Sequence, residues 1–228
     1  MATVDILIED ASSAVDRLQR WAPLLRGRTE QTASSFALYK GPNDAFLATQ
    51  GQDRSEAALI ADRYRMEAAM LAIIFLYSLF DRNKGKVSFQ HVKALLARAD
   101  VQEELVRRYS ASGPGRRSAL KDEARRFIAA FVERYAEFDV LAYGRLKHFR
   151  NLALAHLTED AVSEYARSGE LEALTRLACA LQKQLSLLAE DGLNTHAEQH
   201  IGDLAGDLET FWRATFRPSF DPHSIDDD

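Results

Sequence analysis

Cysteine is almost absent from this sequence, and its absence excludes a fold stabilised by internal disulfides. The single cysteine, Cys179, has no second cysteine in the chain to pair with. It lies in an apolar stretch, Leu177 to Leu181, whose composition favours helix. We interpret Cys179 as a small buried hydrophobic residue rather than a nucleophile, and we expect the protein to work in a reducing compartment.

Long apolar runs are also missing. The longest strongly apolar run covers Ala68 to Tyr77, whereas a membrane-spanning helix needs about 20 residues. The first residues, Met1 to Asp5, lack the basic and apolar regions of a signal peptide. We therefore expect a cytoplasmic protein that has no membrane partner.

Strand patterns are sparse, because valine, isoleucine and threonine are few while alanine, leucine, arginine and glutamate dominate. We predict an all-α fold, a helical bundle that forms one domain over residues 1–228. The first helix should run from Val4 to about Trp21, since Pro23 and Gly27 mark its end. Gly41 to Asp44 should then form a turn.

A second helix is predicted from about Ser55 to Arg82, and its part from Met66 to Tyr77 is apolar on nearly all sides. Such a helix lies either in the centre of a bundle or in an interface between subunits. Two glycines, a proline and small residues predict an exposed loop at Ser110–Gly115. We expect the tail, residues 217–228, to be mobile or to lie on the surface.

Charge is uneven along the chain, although the net charge of −5 gives no reason to expect general binding of nucleic acid. Between Arg107 and Arg150 there are eleven basic residues and five acidic ones. Between Leu157 and Asp228 there are five basic residues and fifteen acidic ones. These segments are either ordinary solvated helix faces or, for the basic one, a patch that holds an RNA backbone.

The segment from Arg145 to His156, RLKHFRNLALAH, carries the most chemical information. Arg150 is followed by Asn151, and four small or apolar residues then separate this pair from His156. Histidine titrates near neutrality and suits proton transfer. Arginine presents a planar fork of donors to phosphate, and asparagine can orient either partner through hydrogen bonds.

This order of an arginine, a polar residue, a short spacer and a histidine is similar to the signature of the HEPN superfamily of RNA-cutting toxins. The context extends the resemblance over about residues 57–188. An apolar helix that ends near Asp81, followed by a short helix led by Ser88, resembles the AbiU-like abortive-infection branch.

The resemblance implies a HEPN-type helical core with additional peripheral helices, and a metal-independent endoribonuclease that needs no cofactor. Its catalytic residues would be Arg150, which stabilises the phosphate, His156, which handles protons, and Asn151, which orients them. It also implies antiviral defence, either in abortive infection or as the toxin of a toxin–antitoxin pair. RNA would be the substrate, and an antitoxin protein would be a partner.

Helix geometry adds a requirement for a homodimer. Six residues at about 100° each place Arg150 and His156 roughly 120° apart around one helix and about 9 Å apart along it. One copy therefore does not direct both groups at one phosphate. Two copies related by a two-fold axis would juxtapose the same segment from each subunit, which agrees with the composite cleft that the resemblance implies.

Other interpretations of the motif stay open. In a purely structural interpretation, Arg150 pairs with a carboxylate such as Asp139 or Glu159, and His156 is a satisfied core histidine. The protein would in that case be a catalytically silent HEPN-like module that binds RNA or a partner protein, or a structural helical dimer.

Further candidates lie beside the motif and near the C-terminus. Arg145, Lys147 and His148 are candidate contacts to substrate, although a solvated face also accounts for them. The i,i+4 pair His196 and His200 has a spacing that can hold a metal, but it lacks a nearby cysteine or suitably placed glutamate. We therefore predict no metal site.

Overall fold

The computed structural model of the chain describes residues 9–48, 56–83, 85–112, 117–155, 167–190 and 197–216. Within these ranges the protein consists of eight α-helices and contains no strand, which confirms the all-α fold class. The helices are α1 (Ala11–Ala48), α2 (Glu56–Leu79), α3 (Phe89–Leu96), α4 (Ala99–Ser112), α5 (Arg117–Ala136), α6 (Val140–Ala155), α7 (Ser168–Ala189) and α8 (Ala197–Thr215).

The first helix differs most from its prediction. α1 is 38 residues long and continues through Pro23, Gly27 and Pro42. The predicted end near Trp21 and the predicted turn at Gly41 to Asp44 are therefore both wrong. Local turn signals in this part of the sequence are outweighed by packing.

Neighbouring helices keep α1 continuous past its prolines. A proline in a helix interior removes a backbone hydrogen bond and costs about 3 kcal/mol. α1 packs on α2, α7 and α8, and its Leu25 and Phe36 are almost completely buried. Close to Pro23, Gln182 of α7 donates from Nε2 to the carbonyl oxygen of Ala22 at 3.3 Å. Burial along the whole helix thus offsets the local cost of each proline.

A cluster of aromatic side chains joins the end of α2 to α3, α5 and α6. We call it the Phe80 cluster, and its members are Phe80, Phe89, Phe131, Tyr135, Phe138 and Tyr143. Phe80 is fully buried, and its ring centroid lies 4.7 Å from that of Phe138 and 6.3 Å from that of Tyr143. Each such aromatic pair stabilises by about 0.5–1.5 kcal/mol beyond its area burial. The cluster therefore holds α6 firmly against the end of α2.

Helix α2 is buried on one side only. Ala68, Ala72 and Leu76 face the core and are at most 4% exposed. On the opposite side, Ile60 is 56% exposed and Leu71 is 46% exposed. Within one chain α2 is thus not a fully buried central helix, and the alternative interpretation, an interface between subunits, stays a prediction.

Three smaller predictions have different outcomes. Cys179 is buried on α7, as predicted. The predicted loop Ser110–Gly115 is partly wrong, because α4 continues to Ser112, and the rest of that loop lies outside the described residues. The tail, residues 217–228, also lies outside them. In the part of the chain that the structure describes, no helix is both long and apolar enough to cross a membrane.

Helices α1 and α8 approach each other closely at Gly41. A Cβ atom added there would lie 2.5 Å from the Cβ of Leu208 and 2.7 Å from the carbonyl oxygen of Ala205. These distances are shorter than any normal non-bonded contact, so only glycine fits. At Gly27, which is exposed on the same helix, an added Cβ would meet no atom within 4 Å.

Gly41→Ala should therefore lower the free energy of unfolding, by about 1–3 kcal/mol as for other overpacked contacts. Gly27→Ala is the matched control, and it should raise the free energy of unfolding by about 0.5–1 kcal/mol because alanine favours helix over glycine. Urea unfolding followed by circular dichroism measures both variants. Equal stabilisation by the two changes would contradict the close packing of α8 on α1.

Candidate active site

The predicted motif lies on α6, which packs against α2 and α7. The helix begins after Asp139, whose Oδ1 accepts the backbone N–H groups of Leu141 at 2.8 Å and Ala142 at 2.9 Å. This cap satisfies donors that are free at a helix start. Burial of Tyr143 then fixes the rotation of α6, and Arg150 follows two turns later on the same face.

The guanidinium group of Arg150 has two contacts that orient it. Its central carbon lies 3.6 Å from the ring centroid of Tyr77, a residue in the last turn of α2. Its Nε and Nη2 both donate to Oδ1 of Asn151, at 3.1 and 2.6 Å. The ring and the amide oxygen together define the plane of the guanidinium group.

These contacts orient Arg150 without neutralising it. Among the described residues, no carboxylate lies within ion-pair distance of its guanidinium group. Asp139, one of the two carboxylates considered as a structural partner, caps its own helix instead. Glu159, the other, lies outside the described residues.

A tyrosine and an aspartate lie close to this arrangement. Burial raises the pKa of Tyr143 far above its usual value, the nearby Tyr77 and Asp81 raise it further, and the charge of Arg150 opposes them. The phenol is therefore neutral at physiological pH and donates to the carbonyl oxygen of Tyr77 at 3.4 Å. Asp81 is itself mostly buried and accepts the backbone N–H of Asn83 at 2.9 Å. Tyr143 is thus a structural donor rather than a base.

Arg145, a predicted contact to substrate, is paired with Glu170 at the start of α7. Its Nε donates to both carboxylate oxygens at 2.9 and 3.1 Å, and its Nη2 donates to one of them at 2.6 Å. Hydrogen bonding from Arg145 holds the pKa of Glu170 below its usual value, in opposition to burial, which raises it. Five residues separate Arg145 from Arg150, so the two point about 140° apart around the helix. Arg145 thus links α6 to α7 through an ion pair, and its role as a substrate contact stays a prediction.

The other candidates flank Arg150 on the exposed side of the helix. Lys147 and His148 are exposed, whereas Asn151 is half-buried. Lys147 lies about 60° from Arg150 around the helix and is placed to meet a ligand that contacts it, whereas His148 points about 160° away. Their role as substrate contacts stays a prediction.

His156 lies outside the described residues, as does His196. The relation between Arg150 and His156 is therefore known only from their spacing in the sequence. Within the described ranges there is no group of three or more histidine, cysteine, aspartate or glutamate residues that could hold a metal ion.

No protein-family model, curated protein or solved structure matches this chain. The interpretation of the site therefore depends on its residues and their geometry.

Sequence reasoning missed Tyr77 and Tyr143 as parts of the site. Tyr77 was considered only as the end of an apolar run, and it contacts a residue that is 73 positions later in the chain. Its ring also stacks on that of Tyr143, with 5.5 Å between centroids and 5° between planes. No local spacing connects residues so far apart, so only the packing of α6 on α2 reveals them.

The assignment of Arg145 predicts energetic coupling to Glu170. In a double-mutant cycle at pH 7 with Arg145→Gln and Glu170→Gln, the coupling should be about 1 kcal/mol, because the pair is bidentate and partly buried. The matched control is the exposed pair Arg125–Asp122, whose coupling should be within about 0.5 kcal/mol of zero.

The same coupling should depend on pH. Because the folded-state pKa of Glu170 is lowered, its contribution is present above the unfolded-state value of about 4.3 and is lost as the pH falls through the folded-state value. Denaturant unfolding measures the cycle at each pH. A coupling that is absent at pH 7 would contradict a stabilising ion pair between Arg145 and Glu170 and would favour Arg145 as a substrate contact.

Proposed function

We propose that this protein is a metal-independent endoribonuclease of the HEPN type, a toxin that acts in abortive infection or in a toxin–antitoxin pair. The observation that carries the proposal is the state of Arg150, which is oriented by Tyr77 and Asn151 and keeps its charge within the described part of the chain. A fixed, uncompensated guanidinium is what a phosphate undergoing reaction requires. The similarity of the motif to the HEPN signature supports the same reaction.

The proposed reaction uses the RNA itself as nucleophile. His156 takes the proton of a 2′-hydroxyl, and the 2′-oxygen attacks the adjacent phosphorus. The bond from phosphorus to the 5′-oxygen then breaks, and that oxygen receives a proton from protonated His156, which returns to its starting state. The products are a 2′,3′-cyclic phosphate and a 5′-hydroxyl. Arg150 stabilises the negative charge that grows on the phosphate oxygens.

The geometry of Arg150 leaves donors for this task. A guanidinium group has five N–H donors. Within the described residues, two of them are used by Oδ1 of Asn151, and three remain for phosphate oxygens. Asn151 thus orients Arg150, which is the role the motif suggested for it.

A second copy of the chain would complete the site. The exposed side of α2 carries a stripe that is apolar except for Glu67, and its members are spaced alternately by four and three residues: Ile60, Tyr64, Glu67, Leu71 and Ile74. This spacing is typical of helices that pair along an apolar seam. Tyr77 places Arg150 beside the C-terminal end of the same helix. A two-fold axis along this stripe would therefore bring the two copies of α6 towards each other.

Replacement of Arg150 should lower the cleavage rate far more than it lowers stability. Arg150→Ala removes stabilisation of transition-state charge and should slow cleavage about a hundredfold. Arg150→Lys should recover only part of the rate, because an ammonium cannot reproduce the planar fork. His156→Ala removes proton transfer and should also cost about a hundredfold. The measurement is the rate of RNA cleavage in EDTA, beside the thermal unfolding of each variant.

Arg213→Ala is the control for loss of a positive charge, since Arg213 lies on α8 and pairs with Glu209. It should cleave at the wild-type rate. Full cleavage activity of well-folded His156→Ala would contradict the HEPN-type mechanism, in which His156 transfers the proton. Wild-type protein that binds RNA but never cuts it would favour the catalytically silent binding module.

Disruption of the α2 stripe should produce monomers. Leu71→Glu places a second negative charge one turn from Glu67 in the proposed seam, so the mass at micromolar concentration should fall from that of a dimer to that of one chain. Val132→Glu is the matched control, because Val132 is 39% exposed on α5, which packs on α4 and α7. Sedimentation measures both variants. A wild-type monomer that still cleaves RNA would contradict the composite site.

A further inference from the structure

We propose that Tyr77 is a positioning residue of this site, and that its ring fixes the plane of the Arg150 guanidinium. The inference rests on the proposed function and assigns a role that the motif does not contain. Its starting point is the contact of 3.6 Å between the guanidinium carbon and the ring centroid. At that distance the cation lies directly over the ring face.

The ring of Tyr77 is itself held in place. It lies parallel to the ring of Tyr143, whose side chain is only 8% exposed. The hydroxyl of Tyr143 donates to the backbone carbonyl of Tyr77, which joins α6 to the last turn of α2. Tyr143 also contacts Phe138, with 5.4 Å between ring centroids. Tyr77 is thus anchored to the Phe80 cluster, and Arg150 is anchored to Tyr77.

An aromatic ring suits this role better than a carboxylate. A free arginine side chain occupies many rotamers, and a reaction at phosphate would otherwise have to oppose the loss of that freedom at each turnover. A carboxylate would remove that freedom but would also cancel the charge, as Glu170 does for Arg145. The ring of Tyr77 orients the guanidinium and carries no net charge, so the cation stays available to a phosphate.

The phenol hydroxyl of Tyr77 is not needed to orient Arg150. The contact to Arg150 is made by the ring face. Tyr77→Phe keeps that face and should retain cleavage within about threefold of wild type. Tyr77→Leu removes the face and should lower kcat about tenfold, with a smaller change in KM because phosphate can still reach Arg150.

A direct readout of the geometry does not depend on cleavage. A group over a ring face is shielded by the ring current, so the side-chain NMR signals of Arg150 should be shifted upfield in wild type and in Tyr77→Phe. The shift should disappear in Tyr77→Leu. Arg150→Ala identifies the signals. Absence of the shift in wild-type protein would overturn the positioning of Arg150 by Tyr77, whatever the protein does to RNA.

A double-mutant cycle separates positioning from a general structural role. If Tyr77 acts through Arg150, Tyr77→Leu should have almost no further effect on kcat in the Arg150→Ala background. Two effects that simply add would contradict the proposal. Thermal unfolding monitors folding, and Tyr77→Met, whose unbranched side chain fills irregular gaps more easily, replaces Tyr77→Leu if the latter does not fold. A shifted Arg150 signal in a protein that never cuts RNA would reject the ribonuclease while keeping the positioning.

Discussion

The packing of the Phe80 cluster is the constraint on which the candidate site depends. Phe80 directly follows the last residue of α2, and Phe138 lies just before the first residue of α6. Their stacked rings therefore hold the end of one helix against the start of the other. Because this junction is fixed, the rings of Tyr77 and Tyr143 stack. Since α6 continues from the junction as one helix, Arg150 reaches the ring of Tyr77. The packing of the two helix ends thus determines where the guanidinium group of Arg150 lies.

Two arginines of α6 differ in the kind of partner that orients them. Arg145 is paired with Glu170, which orients it and cancels its charge, and the pair joins α6 to α7. Arg150 is oriented by a ring and by a neutral amide, so its charge persists within the described part of the chain. The sequence presents both as basic residues of one segment. Their different partners account for the different roles that we propose for them.

The parts of the fold that follow local rules were predictable from sequence. Helical composition gave the all-α class, and an apolar context gave the burial of Cys179. The length of α1 was not predictable, because Pro23 and Gly41 are local signals for an end or a turn and their cost is offset by distant helices. In α2, the exposed stripe could not be separated from the buried face, since both faces are apolar and only the positions of the neighbouring helices distinguish them.

For the candidate site, too, local features were predictable from the sequence and contacts between distant residues were not. Residue type and spacing were enough to predict Arg150 and Asn151 as site residues, and the contact between them is local to one turn of helix. Tyr77 was missed because its contact with Arg150 is made between helices α2 and α6, and helices α3, α4 and α5 lie between these two in the sequence. The pairing of Arg145 with Glu170 was missed for the same reason, since it spans 25 positions. The candidate roles of the side chains could be predicted from their residue types, whereas the partners that orient or neutralise each charge are known only from the tertiary contacts.

We propose that Arg150 stabilises the phosphate during a metal-independent attack by the 2′-hydroxyl of RNA. The most direct test is to incubate purified protein with a defined RNA in EDTA and to identify the ends of the products. Attack by the 2′-hydroxyl should produce fragments that end in a 2′,3′-cyclic phosphate and begin with a 5′-hydroxyl. No cut should occur where a 2′-deoxy nucleotide removes the nucleophile. Products with 3′-hydroxyl and 5′-phosphate ends, or cleavage that persists at the 2′-deoxy position, would contradict this mechanism.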